Sequence, residues 1–390
     1  MKLIPEIESY RDDLVALRRD IHAHPELAYE ERRTSALIAE RLRAWGFEVD
    51  VGLAKTGVVG SLTSGNGPTV GLRADMDALP ISEAGDFDHR SRFDGKMHAC
   101  GHDGHVAMLL GAARYLAATR DFQGTVRCIF QPAEEAAGGA KVMLDEGLFD
   151  RLPVDAVFGM HNWPGLAVGR FALCPGPIMA SLDCFDIRIE GHGTHGALPH
   201  HGIDPIAVAA AVIQALQTIV SRNVDPRRAA VISVTKIHAG NAHNVIPDHA
   251  MLGGGIRCFD PPLRTYLKTR VEEVVAGVTA ALGARGRVSF IAGFPAVIND
   301  VRSSELAARV ARELVGDEGV DTATEPVLGS EDFSYMLERK PGCFLFIGNG
   351  AGPASCTIHN PGYDFNDEIL PLGASFWVRL AQAFLQQRSA

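Results

Sequence analysis

The segment Met97-His98-Ala99-Cys100-Gly101-His102-Asp103-Gly104-His105 sets three imidazoles, one thiol and one carboxylate close together. A thiolate and an imidazole are good ligands for a borderline ion such as Zn²⁺. In an extended segment, the two-residue spacing of Cys100 and His102 puts both side chains on one side. Asp103 suits either the cap of a following helix or a hydrogen bond to the second nitrogen of a ligating imidazole. Further donors sit elsewhere: Asp75-Met76-Asp77, the pair Glu134-Glu135, His161, and His359 within Cys356-Thr357-Ile358-His359-Asn360-Pro361-Gly362.

These donors must be positioned by the elements before them. Strand-like runs at 69–74, 125–130 and 154–160 precede Asp75, the glutamate pair and His161. Ligand sites in open α/β sheets lie at the carboxyl ends of strands. Four segments therefore deliver metal-binding side chains to one edge. Adjacent acids diverge, so Glu134-Glu135 reads as divided labour: one carboxylate binds metal and the other takes a proton from water. Cys100, His102, Glu135, His161 and His359 are more ligands than one tetrahedral site needs, which makes two ions reasonable.

The chain has 390 residues, enough for two or three domains at roughly 150 residues each. Helices are expected at 3–24, 30–45, 106–118 and 140–148. From 183 the rhythm resets to β-α-β-β-α-β: strands at 183–190, 230–237, 249–259 and 287–292, with helices at 205–220 and 263–282. That is the split order of a ferredoxin-like unit. The α/β pattern then resumes with a helix at 303–314, a strand at 343–347 and a last helix at 369–387. The expected architecture is an α/β domain with helices flanking a mixed sheet, made of residues 1–180 and 295–390. A ferredoxin-like α+β domain, 181–294, interrupts it.

A net charge of −10 argues against nucleic acid or an anionic membrane as partner. No run approaches the roughly 18 apolar residues of a membrane span, and the first 24 residues read as an amphipathic helix rather than a secretory signal. Seven widely spaced cysteines without a CxxC pair suggest reduced thiols in the cytoplasm. The Gly-rich stretch 348–352 lacks the ending of a phosphate loop. Arg257 interrupts an apolar strand and needs an anion, from substrate or an internal Asp.

Taken together, RADMDALP (73–80), MHACGHDGH (97–105), QPAEE (131–135), HNWPG (161–165), GTHGALPH (193–200), NVIP (244–247), SEDFSY (330–335) and HNPGYDFNDE (359–368) resemble the M20 metallopeptidases. More narrowly they are similar to the branch of N-acyl-amino-acid amidohydrolases, hippurate hydrolases and auxin-conjugate hydrolases. The resemblance implies two divalent ions (Zn, Mn, Co or Ni) per subunit, held by Cys100, His102, Glu135, His161 and His359, with Cys100 bridging. It makes Glu134 the general base and later proton donor. His195 would stabilise the oxyanion from the inserted lid or dimerisation domain, within its own subunit or across an interface. Asn244 and Arg257 would face the substrate. Related peptidases carry His-x-Asp where this chain has Asp75-Met76-Asp77, and Asp where it has Cys100; Asp77 is then the acid that orients His102. The implied substrate is a small N-acyl amino acid, and the implied assembly a homodimer or homotetramer. A dipeptidase, an aminopeptidase or an N-acetyl-diaminopimelate-type deacetylase would use the same scaffold. A non-catalytic metal-binding module would tolerate loss of Glu134.

Overall fold

The computed structural model of the chain describes residues 1–350 and 356–387, which form two compact units. The first is built from 1–178, 298–325 and the described part of 332–390, the second from 179–297 and 326–331. Positions 351 and 352 of the Gly-rich stretch lie outside the described residues.

The first unit contains an eight-stranded mixed sheet in the order Glu48–Leu53, Gly57–Ser64, Gly124–Gln131, Thr69–Asp75, Ala156–Pro164, Gly342–Gly350, Phe171–Ala172, Val320–Asp321. Thr69–Asp75 runs parallel to both its neighbours, and Ala156–Pro164 parallel to Gly342–Gly350. The first two strands form an antiparallel margin. Strands covered on both faces read as near-continuous apolar runs, and every residue of Gly342–Gly350 is buried. Helices His102–Thr119 and Leu370–Gln387 pack together over the sheet, burying Leu109, Leu110, Phe376, Trp377 and Leu380. Replacing Trp377 by Ala would cost about 3–5 kcal/mol in such a core.

Three elements differ from the sequence expectation. The first helix is broken into Pro5–Glu8 and Arg11–His22, where Ser9 Oγ donates to Glu6 O at 2.6 Å and Tyr10 leaves the helical region. The strand expected at 154–160 runs Ala156–Pro164, so His161 lies inside it. The helix expected from 106 begins at His102. Gly101 makes that start possible: its φ is 90°, and a Cβ there would lie 2.0 Å from Asn162 Oδ1. Cys100 and His102 therefore flank a turn rather than sharing an extended segment.

The second unit holds a four-stranded antiparallel sheet in the order Ala230–Ala239, His249–Cys258, Ser181–Glu190, Arg285–Phe294. With helices Pro205–Thr218 and Pro261–Ala281 between strands, this is the ferredoxin-like order. Asp204 and Asp260 cap those helices, accepting from Ile206 N and Leu263 N at 2.8 Å each. Val208, Val212, Leu216, Leu267 and Val271 pack on Phe185, Ile187 and Ile189. Pro205–Asn223 is long and apolar enough, by length and composition alone, to cross a membrane, although Gln214, Gln217, Ser221, Arg222 and Asn223 interrupt its apolar run as expected. Val208, Ala209, Val212, Leu216 and Ile219 form its one packed face, which belongs to this core. The segment 326–331 joins this unit because Ala180 N donates to Val327 O and Gly329 O, at 3.1 and 2.9 Å.

Candidate metal centre

Parallel strands bring the donors to one edge. Asp75 pairs in register with Gln131, and Glu134-Glu135 follow Gln131 through a tight turn. His161 lies opposite Phe346 in the adjoining strand. Cys100 leads into the helix that starts at His102. His359 has a φ of 65°, and its N–H donates to Ala99 O at 2.7 Å, tying its loop to the backbone beside Cys100.

The five expected ligands and Glu134 meet in three overlapping groups: Cys100, His102 and His161; Cys100, Glu135 and His359; His102, Glu134 and Glu135. Within each, the potential ligand atoms all lie within 4.8 Å of one another. Cys100 Sγ is 3.3 Å from His161 Nε2. Glu135 Oε1 is 3.2 Å from His359 Nε2 and 3.8 Å from His102 Nε2. Cys100, His102 and Glu135 each belong to two of these groups, so the groups share one continuous cluster.

Hydrogen bonds aim the imidazoles. His102 Nδ1 donates to Asp77 O at 2.9 Å and lies 3.2 Å from Asp77 Oδ1. His161 Nδ1 donates to Asn162 O at 2.7 Å. Each ring thus turns Nε2 toward the cluster, where a cation would take the place of a proton. His102 Nε2 and Glu135 Oε1 are buried without a hydrogen bond. Unsatisfied buried polar atoms are costly, and a cation would satisfy both. The sulfur, nitrogen and oxygen donor set fits a divalent transition ion.

The electrostatics agree. Burial works against a charged His102, but Asp75, Asp77 and Glu135 outweigh it and raise the imidazole to about 10. Burial, with Glu135, Glu134 and Asp75, pushes the Cys100 thiol well above its usual range. Burial holds His161 well below its usual value. The pocket is thus rich in negative charge that calls for a positive partner, and a bound dication reverses the local logic for a thiol.

Residues outside the five expected ligands support the centre, Asp75 among them. Burial opposes an ionised Asp75, but His102, Arg73 and His105 hold its carboxyl well below the usual range. Its oxygens meet His105 Nδ1 at 2.5 Å and Arg73 Nη1 at 2.7 Å. Arg73 also donates to Gln131 Oε1 at 2.8 Å and Asp332 Oδ1 at 3.2 Å. Asp332 N donates to Glu134 Oε1 at 3.3 Å. An arginine inside an apolar strand, as in RADMD, was the signal for this network. Asp103 caps nothing and holds no ligand: it is buried against Arg18 Nε at 2.9 Å and His22 Nδ1 at 2.8 Å.

In the second unit, Thr194–His195 pairs with Val245–Ile246. Gly196 N donates to Asn244 O at 2.7 Å, which brings His195 and Asn244 together. Ala197 N donates to His195 Nδ1 at 3.0 Å. Arg257 Nη1 donates to Leu328 O at 2.6 Å and Ser330 Oγ at 2.8 Å, so its partners here are a carbonyl and a hydroxyl rather than an internal Asp.

Residues 71–383 match the model of peptidase family M20/M25/M40. The chain is 40% identical to a hippurate hydrolase of Campylobacter jejuni, over 99% of this chain and all of that one. It is 42% identical to IAA-amino acid hydrolase ILR1-like 2 of Arabidopsis thaliana, over 97% of this chain and 87% of the other. The crystal structure of the Bacillus subtilis YXEP protein, described as a dinuclear metal binding peptidase from the M20 family, superposes with a TM-score of 0.85. It is 36% identical, over 97% of this chain and 99% of that one.

Proposed function

The chain belongs to peptidase family M20/M25/M40, and from that membership we propose that it hydrolyses the amide bond of N-acyl-L-amino acids, releasing a carboxylic acid and an amino acid. The observation that carries this reading is the buried meeting of His102 Nε2 and Glu135 Oε1, 3.8 Å apart, with Glu134 in the same group.

Cys100, His102, Glu135, His161 and His359 would hold two divalent ions (Zn, Mn, Co or Ni), with Cys100 common to both. When bound, the ions would polarise the acyl carbonyl and lower the pKa of water. Glu134 takes the proton of the attacking water and passes it to the leaving nitrogen. Asp77 holds His102 in the tautomer that ligates. His195 donates to the oxyanion through Nε2. Asn244 orients the amide, and Arg257 receives the substrate carboxylate through Nε and Nη2.

The seven cysteines are all free, which suits a reducing cytoplasm. A homodimer or homotetramer joined through the ferredoxin-like unit fits its outer strands, where Ile237 and Ile291 are 52% and 63% exposed.

Hippurate, other N-benzoyl and N-acetyl amino acids, and unblocked dipeptides should be offered to the chelated protein after reloading with each metal. Cleavage of the acylated set alone supports the reading. Cleavage confined to dipeptides would replace it with a peptidase.

A further inference from the structure

The turn that carries Glu134 is held from outside the metal centre. Ala133 has φ 56° and ψ 41°, a left-handed conformation that costs a residue with a Cβ roughly 1–2 kcal/mol. Its N–H donates to Glu31 Oε1 at 3.0 Å. Glu31 Oε2 accepts from Thr56 Oγ1 at 2.6 Å.

Glu31 sits at the N-cap of helix Arg32–Ala44 but makes no side-chain cap bond to it. Its acceptor capacity is turned instead on two distant segments. The residue is 0% exposed, and burial pushes its carboxyl up to about 7. Its surroundings are strained. Tyr29, Ala54 and Lys55 have φ of 64°, 48° and 70°, so the stretches around Glu31 and around Thr56 both hold left-handed non-glycine residues, as the Ala133 turn does. Lys55 Nζ lies 4.8 Å over the Tyr29 ring, which joins these two stretches, and Ala54 N donates to Glu146 Oε2 at 2.7 Å. Strained residues persist only where the surroundings over-determine them, and they gather where geometry serves function. A buried acid that costs stability yet fastens such a turn one residue before a catalytic carboxylate fits that pattern.

We propose that Glu31 is a positioning residue: by accepting the Ala133 N–H, its carboxyl fixes the turn that aims Glu134 at the attacking water. The inference rests on the hydrolase reading, with Glu134 as base. Two other bonds secure the same segment further along, Glu135 N to Asp77 Oδ2 at 3.1 Å and Ala140 N to Asp332 Oδ2 at 2.9 Å. The segment therefore remains attached without Glu31, and the loss falls on the aim of Glu134. Misplacement of a reacting group by about 1 Å can cost about 100-fold in rate.

The test compares Glu31→Gln, which keeps an acceptor oxygen, with Glu31→Met, which fills the space without one, and with Thr56→Val. Each is measured for kcat and KM on hippurate, for bound Zn²⁺ per subunit by calorimetry, and for melting. Glu31→Met should lose about 100-fold in kcat, with KM within about twofold and Zn²⁺ stoichiometry unchanged. Glu31→Gln should keep kcat within about threefold. Thr56→Val should lose about fivefold in kcat alone, and it decides the matter if Glu31→Met does not fold. Wild-type kcat in Glu31→Met or in a folded Thr56→Val overturns the positioning role, as does loss of Zn²⁺ in step with kcat. A wild-type protein that cleaves neither hippurate nor any other N-acyl amino acid overturns the hydrolase reading and this inference together. Cleavage by the wild type beside an equally fast Glu31→Met overturns this inference alone.

Discussion

The Ala197 N–H donates to His195 Nδ1 at 3.0 Å. That bond makes Nδ1 the acceptor and leaves the ring proton on Nε2, so His195 presents a single N–H donor from the exposed end of a short strand. An oxyanion needs such a donor. His195→Ala should lower kcat by about 100-fold or more with KM little changed. Steady-state kinetics on an N-acyl amino acid measure it, and an undiminished kcat would remove His195 from catalysis.

Glu134→Gln keeps the shape of the side chain and removes its basicity. Turnover should fall by at least about 10³-fold, within the range for lost general-base catalysis. Metal content should stay at the wild-type value, because Cys100, His102, Glu135, His161 and His359 are untouched. A fully loaded variant with normal turnover would sink the assignment.

Metal removal should act on stability as well as activity. A ligand that binds only the folded state adds about 4 kcal/mol at 1,000 times its Kd. Chelation should therefore abolish hydrolysis and lower the melting temperature, and divalent ions should restore both. Cys100→Ser should weaken both restorations. Identical melting curves with and without chelator would contradict the proposed centre.

Glu31 gives a pH dependence whose sign is fixed. Burial raises its carboxyl from 4.5 to about 7 in the folded state. Below about 4.5 both folded and unfolded chains hold the proton and there is no penalty. Between about 4.5 and about 7 the unfolded chain ionises while the folded chain keeps the proton, so stability falls with pH, and above about 7 both are ionised and the loss is complete. The difference corresponds to about 3 kcal/mol. Glu31→Gln has no such proton, so its stability advantage over wild type should grow between pH 4.5 and 7 and level off above. Denaturant melts at pH 5 and pH 8 measure it, and a constant difference would refute the buried charge.

The candidate donors could be picked out before any fold was known because thiol, imidazole and carboxylate groups crowd into short strings beside strand-like runs, and the structure brings them together. Cys100, His102, Glu135, His161 and His359 announce themselves by type. The ferredoxin-like rhythm was equally legible, since its strands and helices alternate with clear periodicity. What escaped depends on partners far apart in the chain. Arg73 and Asp332 meet across 259 positions, and Glu31 and Ala133 across 102. Neither pairing leaves a local pattern. Asp103 looked like a helix cap because it stands at a helix start, yet Arg18 and His22, more than 80 positions earlier, claim it. The early start at His102 depends on a left-handed glycine whose necessity appears only when Asn162 is beside it.

One consequence lies in the ladder between Ala156–Pro164 and Gly342–Gly350. His161 is locked opposite Phe346 by interstrand pairing, not by the length of chain that joins the two strands. Sheet register sets where the imidazole stands, and a one-residue slip would turn it to the opposite face. An epitope or fluorescent reporter spliced into the exposed bend at Asp225–Arg228 should accordingly leave the donor spacing intact. A proline substituted at Leu345, by removing a rung, would disperse it.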